Sequence, residues 1–262
     1  MHLLKRTVRC TFDTASPSVR GVNGYGGKPA MAGLGRYYEF EVACAGEPDP
    51  ATGYLINIKD IDDTVRGVLP DTVSKWIAEG DPRPPTAVCA QLRSSVAGAL
   101  EPVRLVSLRW GFSPTFSIEV DDMTTTAILR QRFDFAAAHR LHVPDLSDED
   151  NRSMFGKCNN PNGHGHNYQV EPAVRVPLDG SLTLDRLERL TDETVIERFD
   201  HKHLNEDTAE FGPDGVNPSV ENIARVCYEL LAPVIEDAGG TLESMTVWET
   251  DRTCCAYSPG NG

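Results

Sequence analysis

The sequence predicts an α+β fold built from two tandem copies of one plan, residues 1–125 and residues 126–262. Short stretches in which apolar and polar residues alternate indicate β-strands, and longer stretches with apolar residues three and four apart indicate helices. Both halves of the chain show the order strand, strand, helix, helix, strand, strand. A chain of 262 residues is long enough for two domains of ordinary size.

The first copy is predicted from alternation followed by helical spacing. Val8, Cys10 and Phe12 alternate with polar residues, which is typical of a strand. A helix is expected where apolar residues recur from Ile61, and a second helix where Thr86 can cap its start. The other expected elements are a glycine-rich loop at 21–27, a half-exposed strand at 33–42, a turn at 50–53, an extended piece at 54–58 and strands at about 103–110 and 115–120.

The second copy repeats this order of elements. Its last helix carries an apolar stripe on one face, and Pro233 is in a position to kink that helix. The expected elements are strands at about 127–139 and 164–176, helices at about 183–199 and 219–238, and strands at about 242–249 and 253–257.

Composition and charge limit the classes of function. The chain has no apolar run long enough to span a bilayer, and its first residues lack the apolar core of a signal peptide, so we expect a cytoplasmic protein without membrane contact. Seven scattered cysteines fit reduced thiols better than a disulfide framework. The net charge of −14 argues against nucleic acid as a partner, because phosphate binding needs a basic surface.

The acidic charge is concentrated in the second half of the chain. Residues 1–125 hold 13 lysines and arginines against 15 acidic residues, whereas residues 126–262 hold 12 against 24, a balance of −12. The simplest interpretation is a solvated acidic surface. A polyanionic substrate would then need local cations, and the sequence offers Arg140, Arg152 and Lys157 without assigning any of them to that role.

Three histidines indicate a metal site in the second copy. His164 and His166 are two residues apart in a predicted strand, so both rings are expected on one face of the sheet. His139 ends the buried face of the preceding strand. Neutral imidazole suits Zn²⁺, and three histidines without a fourth protein ligand leave an open coordination position, which is typical of a catalytic zinc site.

Several motifs follow one another through the second half of the chain, at 135–142, 146–151, 155–168, 200–204, 219–222 and 247–250, with Tyr257 behind the last. Together they resemble the 6-pyruvoyl-tetrahydropterin synthase family over about residues 126–262. The resemblance implies the tunnelling fold, in which a four-stranded antiparallel sheet carries two helices on one face. It also implies a homo-oligomer whose sheets join into a barrel.

The resemblance also implies an activity, that of a carbon–oxygen lyase. Members eliminate triphosphate from 7,8-dihydroneopterin triphosphate and rearrange its side chain by internal redox chemistry, without an external electron carrier. The expected partner is therefore this small pterin triphosphate. Zn²⁺ on His139, His164 and His166 would polarise the side-chain hydroxyl oxygens and acidify the adjacent C–H bonds. Whether Mg²⁺ is also needed stays open.

The expected catalytic residues are Cys158, Asp200 and His201. A thiolate can remove a proton from carbon if its pKa, ordinarily ~8.5, is lowered by nearby cations or a metal. Histidine titrates near neutral pH, and a neighbouring carboxylate can orient its ring. The resemblance implies that the three residues form a catalytic relay with Cys158 as the base.

The expected substrate-binding residues are Glu249, Glu221 and Ser219. The pterin ring presents an N–H and an amino group side by side, and these match one carboxylate through two hydrogen bonds. The resemblance makes Glu249 the pterin anchor, with Glu221 and Ser219 assisting. Ser219 as N-cap and Glu221 in the first turn also fit an ordinary helix start.

The first copy is expected to keep the scaffold and to lack the metal and catalytic residues. Leu34 and Arg36 align with the two chelating histidines of the second copy. The other aligned pairs are Ser16 with His139, Lys28 with Cys158, Val88 with Glu221 and Trp110 with Glu249. Such a degenerate unit can cover strand edges that a separate subunit would otherwise pair.

Two alternative functions stay open. One is the 6-carboxy-tetrahydropterin synthase of queuosine biosynthesis, a relative that usually has three residues between its cysteine and the His-Gly-His motif. Here five residues separate Cys158 from His164, which favours the pyruvoyl type. The other is a non-catalytic pterin-binding metalloprotein. The joint presence of Cys158, Asp200, His201 and Glu249 favours an enzyme.

Overall fold

The computed structural model describes residues 1–13, 34–80, 82–123 and 125–260. The chain divides into two compact units, of which the first comprises Met1–Leu129 with Val176–Ser181 and the second Arg130–Arg175 with Leu182–Gly262. The expected glycine-rich loop and the aligned residues Ser16 and Lys28 lie outside the described residues. Among the helices of the described ranges, none combines the length and apolar character needed to cross a bilayer.

The first unit contains a four-stranded antiparallel sheet and two helices. Its strands pair in sequence order and are β1 (His2–Asp13), β2 (Gly35–Gly46), β3 (Arg104–Ser113) and β4 (Phe116–Val120). Helices α1 (Ile58–Glu79) and α2 (Pro85–Ala99) follow β2; α1 packs against β1, and α2 packs against β3 and β4. The order is strand, strand, helix, helix, strand, strand.

The core of the first unit is rich in aromatic side chains. Trp110 on β3 has no exposed surface, and its ring stacks on Phe112 with centroids 4.2 Å apart and on Phe40 with centroids 5.6 Å apart. Val8 and Cys10 of β1 are also fully buried, as the alternation of the sequence predicts.

Two local predictions for the first unit are wrong, both at helix starts. Helix α1 begins at Ile58, the last residue of the predicted extended piece, because the Asn57 side chain caps it by accepting from the Lys59 amide at 3.0 Å. Thr86 does not cap α2, which begins at Pro85 after Pro84 in extended conformation. The Thr86 hydroxyl instead donates to the carbonyl oxygen of Leu178 at 2.9 Å.

The second unit contains antiparallel strand pairs and one short parallel pair. Strand β5 (Thr126–Gln131) runs across the boundary between the units, and the following strands are β6 (Phe133–His139), β7 (His164–Pro177), β8 (Lys202–His203), β9 (Thr241–Thr250) and β10 (Thr253–Tyr257). In the order β6, β7, β9 and β10, neighbouring strands are antiparallel, and β8 pairs with β6 in parallel.

The helical segments of the second unit lie before and after β7. They are α3 (Asp148–Phe155), a 3₁₀ turn (Gly156–Asn159), α4 (Leu184–Thr191), a π turn (Asp192–Ile196), α5 (Glu197–Phe199), α6 (Leu204–Asp207) and α7 (Val220–Asp237). Helix α7 packs against β9 and β10. The expected mixture of helices and strands is thus confirmed, and α3 is an addition that the sequence analysis did not predict.

Candidate functional site

Strand register brings the three predicted metal ligands together. His139 at the end of β6 lies opposite His164 at the start of β7, and Ala137 lies opposite His166. One ligand nitrogen of each histidine lies within 4.8 Å of the others. Two of these atoms, Nε2 of His139 and Nε2 of His164, are 3.1 Å apart. Two nitrogens on one tetrahedral Zn²⁺, with Zn–N bonds of about 2.0–2.1 Å, would be separated by about 3.4 Å.

A backbone carbonyl fixes the orientation of the buried ligand. His139 has no exposed surface, and its Nδ1 lies 2.7 Å from the carbonyl oxygen of Pro218. Because a carbonyl only accepts, Nδ1 carries the proton and the lone pair of Nε2 faces the other two rings. A histidine that ligates a metal commonly has such an outer hydrogen bond.

Burial keeps His139 and His164 in the form that binds a metal. It lowers the pKa of His139 to about 4, and burial together with the nearby His166 lowers the pKa of His164. Neutral imidazole is the metal-binding species. Among the described residues, Nε2 of His166 is a buried nitrogen without a hydrogen-bond partner. A buried polar atom ordinarily has a partner, and a metal ion would supply one here. These observations fit Zn²⁺ held by the three histidines.

A carboxylate and a phenol border the histidines. Glu249 on β9 places Oε1 3.5 Å from Nε2 of His139 and 3.6 Å from Nε2 of His166. Tyr168, two residues beyond His166 on β7, is fully buried, and within the described residues its hydroxyl has no partner. Burial, followed by the charges of Glu249 and Cys158, raises the pKa of this phenol, so it stays protonated as a donor.

Gly163 sets the turn that leads into β7, the strand that carries the candidate metal ligands His164 and His166. Its φ of +68° lies in the left-handed region, and a Cβ here would lie 2.5 Å from Nε2 of His203 and 3.0 Å from the carbonyl oxygen of His139. By contrast, a Cβ on Gly165, between the two chelating histidines, would meet only the carbonyl oxygen of Ala137 at 3.5 Å.

Gly163→Ala is therefore expected to destabilise the protein by about 1–3 kcal/mol and to lower its zinc occupancy. The destabilisation arises because the added methyl group meets Nε2 of His203 and the carbonyl oxygen of His139 at a backbone conformation that favours glycine, and the zinc loss is expected because His139 must then shift. Thermal unfolding and the zinc content of the purified protein measure them. Gly165→Ala is the matched control, and equal zinc loss in the two variants would contradict this role of the turn.

Cys158 lies in the 3₁₀ turn between α3 and β7 and is partly buried. It lines a cavity of about 600 Å³ together with the candidate metal ligand His164. The backbone of this turn is attached to the end of β6, because the Leu141 amide donates to the carbonyl oxygen of Cys158 at 2.9 Å. The thiol thus lies in the same cavity as one of the three histidines.

Asp200 and His201 form a pair outside that cavity. Oδ2 of Asp200 lies 2.7 Å from Nδ1 of His201, and Oδ1 of Asp200 accepts from the Ala136 amide at 2.9 Å. The hydrogen bond from the Ala136 amide has the larger effect on the pKa of Asp200, and the hydrogen bond with His201 follows. Both lower this pKa and keep the carboxylate ionised. His201 is 83% exposed and has a φ of +56°, which is strained for a residue other than glycine.

The three predicted catalytic residues do not meet within one chain in the described ranges. His201 lines a different cavity from Cys158, one bordered by His166 and Lys202. No contact joins Cys158 to Asp200 or His201 in the part of the chain that the structure describes. The catalytic relay therefore stays a prediction.

Ser219 and Glu221 begin helix α7. The Ser219 hydroxyl accepts from the Asn222 amide at 3.4 Å as an N-cap, and Glu221 is exposed in the first turn. This helix start also holds the site, since Pro218 immediately before the cap accepts the hydrogen bond from His139. The roles of Ser219 and Glu221 in substrate binding stay predictions.

The comparison with known proteins identifies the family. The sequence model of the 6-pyruvoyl tetrahydropterin synthase family matches residues 128–260, which include the three histidines, Cys158 and Glu249. The chain belongs to this family. Its homologues support a 6-pyruvoyl tetrahydropterin synthase function for the second unit.

Individual synthases of the family match about half of the chain. The human 6-pyruvoyl tetrahydrobiopterin synthase is 38% identical over 135 residues, which are 50% of this chain and 90% of the human protein. The Drosophila melanogaster 6-pyruvoyl tetrahydrobiopterin synthase is 43% identical over 135 residues, 50% of this chain and 79% of the fly protein. The solved structure of Caenorhabditis elegans 6-pyruvoyl tetrahydropterin synthase is 32% identical, covers 52% of this chain and 96% of that chain, and has a TM-score of 0.47.

The pairing of the strands corrects one residue pair in the sequence alignment of the two halves, the pair of Trp110 with Glu249. Gln169 pairs with Trp248 in the second unit, and its aligned residue Glu39 pairs with Gly111 in the first. The residue that corresponds to Glu249 is therefore Phe112, two positions beyond the predicted Trp110. Neither residue is acidic, so the first unit lacks a carboxylate at this position.

The sequence analysis missed three contributors to the site, namely the carbonyl of Pro218, the turn at Gly163 and the hydroxyl of Tyr168. A proline carbonyl carries no signal in the sequence. The sequence Asn160-Pro161-Asn162-Gly163 did contain a signal for the turn, because glycine is the residue that most readily adopts a positive φ at a tight turn.

Proposed function

We propose that this chain is a zinc-dependent lyase that eliminates triphosphate from 7,8-dihydroneopterin triphosphate with internal redox rearrangement of the side chain. One observation carries the proposal: three histidines converge with the geometry of a metal site, and the cavity that His164 lines also holds Cys158. Family membership supports the pterin substrate class and the lyase reaction.

Each residue of the site has a distinct proposed role. His139, His164 and His166 hold Zn²⁺, which when bound supplies Lewis acidity toward the side-chain hydroxyl groups of the substrate. Cys158 removes a proton from a side-chain carbon of the substrate, since it is the thiol that lines this cavity. The buried walls around Tyr168 and His139 exclude water from one side of the site.

Glu249 is proposed as the anchor of the pterin ring. Its carboxylate is 22% exposed at the histidine cluster, so it is reachable by a ligand and close to the reacting side chain. Two hydrogen bonds from the ring N–H and amino group to one carboxylate would fix the ring in one orientation. The alternative role for Glu249 is a fourth ligand of the metal, which its 3.5 Å distance from Nε2 of His139 allows.

Glu249→Gln separates these two roles. If Glu249 anchors the pterin, KM is expected to rise about 100-fold or more, because the amide cannot accept both hydrogen bonds, while the zinc content stays unchanged. Steady-state kinetics and metal analysis measure the two quantities, with Glu243→Gln on the same strand as the control. Loss of zinc from Glu249→Gln alone would instead make Glu249 a metal ligand.

We further propose that Asp200 and His201 serve the cavity of a neighbouring copy in a homo-oligomer. His201 is exposed and strained, and it lines a different cavity from Cys158; both observations support this arrangement. Asp200 holds the ring through Nδ1, and Nε2 of the exposed ring is then available for proton transfer.

Complementation tests whether the relay lies between copies. Cys158→Ala and His201→Ala are each expected to be inactive, whereas mixed oligomers carrying both variants should regain a measurable part of the wild-type rate. Co-expression with two different affinity tags and sequential purification isolates the mixed oligomers. Mixed oligomers without any activity would contradict a relay shared between copies.

The first unit is proposed to be a degenerate copy that keeps the scaffold. Both units share the order of strands and helices, and among the described residues the only trio of potential metal ligands lies in the second unit. Leu34, aligned with the ligand His164, is 96% exposed. A fragment of residues 126–262 with full activity and stability would argue against a scaffold role.

Product analysis tests the proposed function directly. The zinc-loaded protein is incubated with 7,8-dihydroneopterin triphosphate, and the pterin product is identified by mass spectrometry. We expect 6-pyruvoyl-tetrahydropterin and free triphosphate. Formation of 6-carboxy-tetrahydropterin would favour the queuosine-type relative, and tight substrate binding without turnover would favour a pterin-binding metalloprotein.

A further inference from the structure

The first unit has a cavity of its own at the start of β2 and the end of β3. Its volume is about 310 Å³, and the described residues that line it are Tyr37, Glu39, Gly111, Phe112, Ser113 and Pro114. All of them belong to the first unit, and none lines the cavities of Cys158 and His201. The proposed reaction does not use this cavity.

Gly111 makes room for the cavity beside Glu39. The two residues pair across β2 and β3, and a Cβ added to Gly111 would meet the carbonyl oxygen of Glu39 at 3.5 Å and its Cβ at 3.6 Å, both ordinary contact distances. Other walls come from Pro114 and from the rings of Tyr37 and Phe112. Aromatic walls of this kind suit a planar ring as the occupant.

The second unit fills the aligned place with an indole ring. Gln169 is aligned with Glu39, and its partner on β9 is Trp248, where the partner of Glu39 is Gly111. The guanidinium of Arg132 lies over the Trp248 ring, 4.2 Å from the ring centroid. A strand pair of this kind therefore accommodates a flat bicyclic ring, and in the first unit the glycine supplies no such ring.

The carboxylate of Glu39 has one oxygen that is held by the protein and one that is not. Oε1 accepts from Nε of Arg9 at 2.8 Å and from the hydroxyl of Tyr37 at 2.6 Å. Oε2 has no hydrogen-bond partner among the described residues. The side chain is 44% exposed, so a ligand can reach it. Because Oε1 already accepts twice, Oε2 supplies the acceptor sites that remain for a ligand.

We propose that this cavity binds a flat bicyclic heteroaromatic ring whose edge carries an amino group beside a ring N–H. The ring lies against Tyr37 and Phe112, in the place aligned with that of the Trp248 ring, and its edge donates to Oε2 of Glu39. Pterins and guanine both present this edge. The inference concerns the first unit alone and does not rest on the proposed reaction of the second.

Fluorescence titration with neopterin and calorimetry with guanosine test this site on the protein of 262 residues. Glu39→Gln is expected to weaken binding at the cavity by about 10- to 100-fold. Arg9 and Tyr37 retain the amide oxygen, so the amide nitrogen takes the place of Oε2 and cannot accept from the ligand. Glu41→Gln is the matched control, because Glu41 lies on the same strand, pairs with Lys5 at 3.0 Å and does not line the cavity.

Gly111→Trp tests the same site by filling it. The substitution introduces the side chain that the second unit has at Trp248, and it is expected to abolish the binding that depends on Glu39. Glu39→Gln keeps the size of the side chain, so it tests the site even if Gly111→Trp does not fold.

The two probes distinguish the sources of the ring. Neopterin binding that Glu39→Gln weakens, without guanosine binding, assigns the cavity to a pterin, and the reverse assigns it to a guanine nucleoside. Binding of both probes, weakened by Glu39→Gln in each case, shows recognition of the edge that they share. Binding of neither probe, or equal affinity in the wild type and Glu39→Gln, would overturn the inference.

Discussion

Replacing Cys158 by alanine is expected to lower kcat by at least about 10³-fold while the zinc stays bound. The variant removes the thiol that lines the cavity beside His164, and it leaves the ring nitrogens of all three histidines untouched. Loss of the base removes proton abstraction from carbon, whereas ground-state binding of the pterin through Glu249 is retained. Steady-state kinetics gives kcat, and metal analysis of the same preparation gives the zinc content.

Cys254→Ala is the control for this experiment. Cys254 lies exposed on β10 and does not line the cavity, so its replacement should leave kcat unchanged. Cys158→Ser keeps the size of the side chain but removes its acidity, and it is expected to be nearly as slow as Cys158→Ala. A Cys158→Ala protein that turns over at the wild-type rate would exclude this thiol as the base.

Replacing His164 by alanine is expected to weaken zinc binding by at least about 100-fold and thereby to abolish activity. The three histidines form the one candidate trio of metal ligands among the described residues, and two histidines alone would hold zinc poorly. Zinc should therefore be lost on dialysis against a weak chelator that the wild type withstands. Competition with a chromophoric chelator measures the difference in affinity.

His142→Ala is the matched control for metal binding. His142 lies near the end of β6, but its ring contacts the side chain of Asn159 and is not part of the histidine cluster. His142→Ala removes an imidazole just as His164→Ala does, but it should leave the zinc content unchanged. If His164→Ala retained zinc as tightly as His142→Ala, the histidine cluster would not be the metal site.

The convergence of the three histidines was predictable from the sequence because it depends on the period of a strand. Residues two apart on β7 share a face, which places His164 and His166 together, and the buried end of β6 adds His139. Each of these inferences needs only local alternation and the pairing of two successive strands. The fold around the site follows from the same alternation.

The remaining features depend on contacts between residues far apart in sequence. The hydrogen bond from His139 to Pro218 joins residues 79 positions apart, and a backbone carbonyl has no residue-type signature. The failure of Thr86 as a cap has a similar cause, since its hydroxyl donates to Leu178, 92 positions away. Local capping preference predicts a helix start only when no tertiary partner competes for the side chain.

The grouping of the cations illustrates the same limit. Arg140, Arg152 and Lys157 are visible in the sequence as candidates, but only the folded turn at Gly156 brings them to one cavity. The register of β3 likewise shows that Phe112, and not Trp110, corresponds to Glu249. Aligning the two halves by residue type does not identify the position that corresponds to Glu249, whereas the hydrogen-bonded pairing of the strands does.

Anomalous diffraction at the zinc absorption edge, recorded on crystals of catalytically active protein, tests the central claim most directly. We expect one peak in each second unit, bonded at about 2.0–2.1 Å to one nitrogen each of His139, His164 and His166. No peak at the histidines of an active, zinc-containing protein, or a peak bound by other residues, would contradict the proposed metal centre.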